Sequence, residues 1–289
     1  MRADRNLLIA ALLGALLCGG LYAPAANWTE EAAILPSDSE ADQLFGSAVA
    51  IDGDYAIAGA QYYDQKGIRV NGGTAYIFHR EDGNWVEQTN LYLVGFHDPD
   101  PGALFGRTVR IAGNRAFAGS HLWVEDATGA EKGAVYTFTR SGATWDSEQH
   151  IPGPSDGSNF GCGLDVNAAG DKIAVGAYGD NEAYVYAFSG GSWGLEATFT
   201  GDGDNHQFGF FTAMSGDGRY VVATDKSSHR LPNDAGSAYV YYYNGSSWGL
   251  QQKIWSDDWV AEVEFGWSAA IDETGEWIAI GSTYTNVVT

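Results

Sequence analysis

The pair Phe-Gly returns five times along the chain, at Phe45-Gly46, Phe105-Gly106, Phe160-Gly161, Phe208-Gly209 and Phe265-Gly266. The same pattern follows each time. An alternating apolar run leads into a short Gly-containing turn, and a second apolar run leads out of it. In the first unit this reads FGSAVAI, Asp52-Gly53-Asp54, YAIAGA; in the second, FGRTVRI, Ala112-Gly113-Asn114, RAFAGS. Alternation with a period of two, broken by such a turn, is a β-hairpin. Self-similarity at this spacing restricts the chain to a repeat architecture, in which each unit buries its faces against copies of itself.

Four of the units continue with a β-branched and aromatic run: TAYIF from Thr74, AVYTF from Ala134, AYVYAF from Ala183 and SAYVYYY from Ser237. A Gly- or Ser-rich turn and a Trp follow (Trp85, Trp145, Trp193, Trp248), and then a fourth, more polar run. Each unit is therefore predicted to be four short antiparallel strands. The fold class is all-β, a β-propeller of four-stranded antiparallel blades with about five blades present. A Trp that recurs once per blade is expected to pack on the neighbouring blade. Trp28 opens NWTEEAAIL, which matches a fourth strand, so the propeller is expected to span 27–289 with a lone fourth strand at its start. The fifth unit has barely begun its third strand when it reaches Thr289. The expectation is a piece of a larger ring; a five-bladed ring with a stunted third strand at 286–289 is the alternative.

Residues 1–26 have the three parts of a secretory signal peptide: Arg2 and Arg5, the uncharged apolar run Leu7 to Leu17, and Ala23-Pro24-Ala25. The run is short of the roughly 20 apolar residues a membrane span needs. The expected location is secreted, periplasmic or at the cell surface, with no transmembrane span after cleavage. Removal of Cys18 leaves Cys162 as the single cysteine, so no internal disulfide is expected and Cys162 reads as a small buried hydrophobe. The formal charge is -22, a field that repels phosphate backbones and excludes nucleic acid as the main partner. It favours cations or basic partners.

The order Phe-Gly, Gly-Ala, Ala-Tyr-x-Phe, Trp resembles the bacterial FG-GAP repeats, relatives of the β-propeller at the N-terminus of integrin α subunits. Phe45-Gly46 with Gly59-Ala60 and Phe160-Gly161 with Gly176-Ala177 carry the motif best; in the fourth unit Ala223-Thr224-Asp225 replaces its second half. The resemblance implies an extracellular seven-bladed ring used for adhesion or ligand binding, with calcium in loops between first and second strands. Here those turns are too short to supply six to eight oxygens. The acidic loops before Phe-Gly offer other candidates, with Asp98, Asp100, Asp202 and Asp204 as the metal set. Spaced carboxylates with glycine can wrap a hard cation; they equally suit solvated loop tips.

No H-E-x-x-H, C-x-x-C, G-x-S-x-G or phosphate-loop pattern occurs. The reading is a non-enzymatic binding or adhesion module for an extracellular protein or glycan. A carbohydrate-active enzyme or lectin on the same scaffold is the alternative, with hydrolase or lyase carboxylates in the ring mouth. Trp123, Trp255 and Trp259 do not recur between units and lie near loops; they are the candidate ligand anchors, since singular loop aromatics make contact sites.

Overall fold

The computed structural model describes residues 30–38, 42–64, 71–91, 102–125, 127–202, 207–227, 229–230, 233–234, 236–255 and 264–283. Blade 1 comprises β1 (Phe45–Asp52), β2 (Tyr55–Ala60), β3 (Thr74–Glu81) and β4 (Asn84–Leu91). Blade 2 has β5 (Thr108–Ala112) and β6 (Arg115–Ser120), then a small ladder of β7 (Val124–Glu125) with β8 (Ala130–Glu131), then β9 (Ala134–Ser141) and β10 (Thr144–Pro152). Blade 3 is β11 (Leu164–Val166), β12 (Lys172–Ala177), β13 (Glu182–Ser189) and β14 (Ser192–Thr200). Blade 4 is β15 (Phe208–Met214) and β16 (Tyr220–Asp225), the ladder β17 (His229–Arg230) with β18 (Asn233–Asp234), then β19 (Ser237–Tyr243) and β20 (Trp248–Trp255). The described part of blade 5 is β21 (Ser268–Ile271) paired with β22 (Ile278–Gly281). Strands pair in up-and-down order within every blade, all antiparallel. First strands of successive blades touch one another, whereas the outer strands fan apart. This is the β-propeller expected. Among the described residues no helix is long and apolar enough to cross a membrane.

The repeated residues each have a mechanical reason. The Phe of Phe-Gly meets the Tyr of the third strand of its own blade: Phe45 with Tyr76 at 5.6 Å, Phe105 with Tyr136 at 5.5 Å, Phe160 with Tyr184 at 5.6 Å, Phe208 with Tyr239 at 4.8 Å. The Gly that follows needs a left-handed backbone, with φ of 80°, 83°, 90°, 85° and 100° in the five units. The Gly of Gly-Ala serves close approach. A Cβ on Gly59 would collide with the carbonyl of Gly106 in the next blade, and one on Gly176 with the carbonyl of Gly209. In the fourth unit Thr224 takes that place, and its Cβ lies 2.9 Å from where a side chain on Gly266 would begin.

At the outer rim the recurrent Trp locks blade to blade. Trp145 Nε1 donates to Gln88 Oε1 at 2.8 Å, Trp193 Nε1 to Glu148 Oε2 at 2.9 Å, and Trp248 Nε1 to Glu196 Oε1 at 2.7 Å. Each acceptor lies three residues after the Trp of its own blade, and each is the residue skipped by a register shift in the fourth strand. A β-bulge re-aims a side chain; here it turns the acceptor toward the next blade. The first residue of the second strand completes the lock. Arg115 and Lys172 pair with Glu148 and Glu196 at 3.2 and 2.9 Å. Where the bulge residue is neutral Gln88, that first residue is neutral Tyr55.

The lone N-terminal fourth strand is not observed in its described part. Residues 30–38 form no ladder and lie on blade 1 through side chains. Arg80 Nε donates to Glu31 Oε1 at 2.6 Å, and the hydroxyls of Tyr63 and Tyr76 both donate to Asp38 at 2.7 Å. Residues 1–29, with the signal segment and Trp28, and residues 284–289 lie outside the described residues.

A candidate ligand-binding mouth at the Phe-Gly rim

Phe45 pairs with Ala60, so the start of each first strand and the end of each second strand share one rim. Two positions per blade stand there beside the axis: the residue after Phe-Gly and the residue after Gly-Ala. Everything around them recurs, and they do not. The first position holds Ser47, Arg107, Cys162, Phe210 and Trp267; the second holds Gln61, His121, Tyr178, Lys226 and Thr283.

These side chains run into one another across blade boundaries. Arg107 Nη1 donates to Gln61 Oε1 of blade 1 at 3.4 Å. Its positive charge lowers the proton affinity of His121, Cys162 and Tyr178 as a secondary effect after burial. Tyr178 meets the ring of Phe210 at 5.8 Å, and Phe210 meets Trp267 at 5.2 Å. The ammonium of Lys226 lies 4.4 Å from the Phe210 centroid and 4.7 Å from that of Trp267, a cation held against two ring faces. Glu264 stands 3.9 Å from it. Burial first, and Arg107 second, hold the imidazole of His121 down at about 4, so it is neutral at physiological pH. Its Nδ1 is buried with no hydrogen-bond partner among the described residues. Burial pushes the Cys162 thiol up to about 11, leaving it a protonated hydrophobe, as the sequence suggested.

The arrangement is an arc of alternating cationic and aromatic groups, able to hold a ligand with flat apolar faces and negative charge. Its composition runs against the whole molecule, which has 37 acidic residues and 15 Lys plus Arg.

The residues singled out from sequence lie elsewhere. Trp123 is not an exposed anchor. It is 2% exposed, packed in the core between blades 1 and 2, with its ring 4.5 Å from that of His150. Its backbone amide donates to the carbonyl of Ser120 at 3.0 Å in a turn that folds the side chain inward. Trp255 ends β20, half-buried, with Lys253 Nζ 3.9 Å from its ring centroid. The same ammonium pairs with Asp202 Oδ2 at 2.8 Å, so Lys253 brings these two predicted residues together away from the mouth. Trp259, Asp98, Asp100 and Asp204 lie outside the described residues.

The donor sets for calcium do not fit in the turns between first and second strands. Their carboxylates are used by neighbouring groups: Asp52 accepts from Gly113 N at 2.5 Å, Asp217 from Ser215 Oγ at 2.6 Å, Asp272 from Trp277 N at 2.8 Å. Among the described residues no three His, Cys, Asp or Glu side chains cluster.

The family model of the FG-GAP repeat matches residues 28–78. The chain carries an FG-GAP repeat. No curated protein matches the sequence. Solved structures that it resembles include a candidate 6-phosphogluconolactonase of Bacteroides fragilis, at 11% identity and TM-score 0.42, covering 81% of this chain and 76% of that one. A second candidate of that name, from Bacteroides uniformis, gives 12%, 0.45, 81% and 77%. A hypothetical selenium-binding protein of Sulfolobus tokodaii gives 12%, 0.48, 70% and 52%. Likeness at this level carries no function. The FG-GAP motif does not mark the mouth. Its fixed letters mark where blades are stitched, and the ligand-facing candidates are the letters between them. The signal was present: two positions that vary in an otherwise constant frame.

Proposed function

We propose that this FG-GAP propeller is an exported, non-enzymatic binding module, located outside the cytoplasm or on the cell surface, that holds an extracellular protein or glycan at the Phe-Gly mouth. One observation carries the reading. Tyr178, Phe210, Lys226 and Trp267, drawn from blades 3 to 5, form a continuous aromatic and cationic arc, and Arg107 of blade 2 stands at the same rim, at positions that vary while the scaffold recurs. Constant positions build a repeat protein and variable rim positions give it a ligand. The strong negative charge of the rest supports a partner that is not nucleic acid.

A glycan and matrix-protein array probed with the wild-type chain and with Trp267→Ala tests this. Binding by the wild type that falls at least tenfold in the variant supports it. Binding that is unchanged in both Trp267→Ala and Phe210→Ala contradicts it. Turnover of a polysaccharide, abolished by the same substitutions, would replace it with an enzyme. Calcium, if used, belongs to the loops around Asp98–Asp100 and Asp202–Asp204. At Asp202 the ion must first displace Lys253, so calcium that binds there releases that ammonium, and Lys253→Met should tighten it.

A further inference from the structure

The geometry points to a glycan end bearing a single carboxylate, a uronic-acid type sugar, as the ligand of the mouth. The inference rests on the binding reading above and names its ligand class. Of the variable rim positions, two carry full positive charge and none carries a carboxylate. Arg107 is exposed, and among the described residues its guanidinium makes only the long bond to Gln61 at 3.4 Å. A guanidinium with free donors in a fork matches a carboxylate bidentately.

Lys226 is held in place by Phe210 and Trp267, with Glu264 at the edge of pairing distance, 3.9 Å. The other nearby carboxylate, Asp225, is fully buried and accepts from the amides of Gln207 and Ser227 at 3.1 Å each. Among the described residues the ammonium of Lys226 pairs only with Glu264, at 3.9 Å, the outer limit of an ion pair, which leaves it able to take a second anion. On the blade 3 side of Lys226 the ring of Phe210 meets that of Tyr178 at 5.8 Å, and Trp267 is 42% exposed. Flat faces of this kind stack on the C–H face of a pyranose, which an extended peptide does not offer. The molecule's charge of -22 repels a polyanion at long range. A locally cationic mouth in an acidic body selects one negative group at a chain end rather than a uniformly charged polymer.

The test uses the full chain and isothermal titration with four probes: a glucuronic-acid-terminated disaccharide, its glucose-terminated counterpart, polygalacturonate, and a tripeptide with a free C-terminal carboxylate. The uronate disaccharide is expected to bind at least tenfold more tightly than the neutral one and than the tripeptide. Polygalacturonate is expected to bind weakly at low salt and to gain as salt screens the body. Arg107→Gln and Lys226→Gln are each expected to lose at least tenfold for the uronate and little for the neutral sugar. Arg107 is exposed, so its variant keeps the test sound if Lys226→Gln disturbs the contact between blades 4 and 5. Equal binding of charged and neutral disaccharides, no binding of the uronate disaccharide, wild-type affinity in both variants, or preference for the tripeptide would overturn the inference. If neutral glycan binds and Trp267→Ala abolishes it, the ligand class is wrong and the binding module stands. If no array ligand depends on the mouth, the binding reading itself fails.

Discussion

Blades 1 and 2 have the same strand order and nearly the same motif, yet their first strands differ in burial. In blade 1 Val49 is 50% exposed and Ile51 64%; at the equivalent positions in blade 2 Val109 is 0% and Ile111 5%. The residues are identical in type. Blade 2 lies between two other blades, whereas on blade 1 residues 30–38 bond to Tyr63, to β3 and to Glu87 of β4 and leave Val49 and Ile51 of β1 uncovered. Burial in this fold belongs to the neighbour, not to the blade's own sequence. In the described part of blade 5, Trp277 shows the same contrast. It is 77% exposed, while its counterparts Arg115 and Lys172 lie 5.8 and 5.6 Å from the locking Trp ring of the next blade.

The largest expected effect comes from the motif glycines. Gly46 and Gly106 share a left-handed backbone, φ 80° and 83°, so an alanine strains both by roughly 1–2 kcal/mol. A Cβ on Gly106 also collides with the carbonyl of Thr74 in blade 1, whereas one on Gly46 meets nothing within 4 Å. Urea unfolding of Gly106→Ala should show a loss above about 4 kcal/mol, and of Gly46→Ala only about 1 kcal/mol. Similar losses would break the comparison. Next in size, Ile111→Ala should cost about 2–5 kcal/mol and Ile51→Ala within about 0.5 kcal/mol, by the same unfolding curves. Smaller still is the Trp lock. Trp193→Phe removes a bond to the Glu148 carboxylate and should cost about 1.5–3 kcal/mol. Trp277→Phe should leave the melting temperature in place.

A pH-dependent effect sharpens the same contrast. His121 has a folded pKa of about 4 against an ordinary 6.5. Between those values the unfolded chain binds a proton that the folded chain does not, so stability rises with pH from 4 to 6.5 and is fully present above it. Blade 1 carries Gln61 in the same position. His121→Gln should flatten the melting-temperature profile across that window, while a substitution at Gln61 leaves it unchanged.

The blades, their strand order and the Trp of each were legible because each follows from local rules: a period of two, turn glycines, one Trp per unit. The bulge that aims Gln88, Glu148 and Glu196 at the next Trp was also written in the sequence, three residues after each Trp and paired in charge with Tyr55, Arg115 and Lys172. It becomes readable only when two blades are set side by side. The burial of Trp123 is not legible locally, because a turn to Ser120 carries it into a core formed by two blades. The mouth is illegible in the sequence for the converse reason. Its residues come from five separate units, and only the ring brings them to one rim. The departure at Thr224 was visible as a broken motif, and the structure gives it meaning as the one stitch where a side chain replaces a bare backbone contact.

Hydrogen exchange of the intact chain, followed strand by strand, reaches the central claim most directly: that blades are stabilised by the neighbours stitched to them. Amides of β6, β12 and β16 should exchange slowest and together, those of β1 and β22 at least a hundredfold faster. Equal protection of β1 and β6, despite their different surroundings, would contradict it.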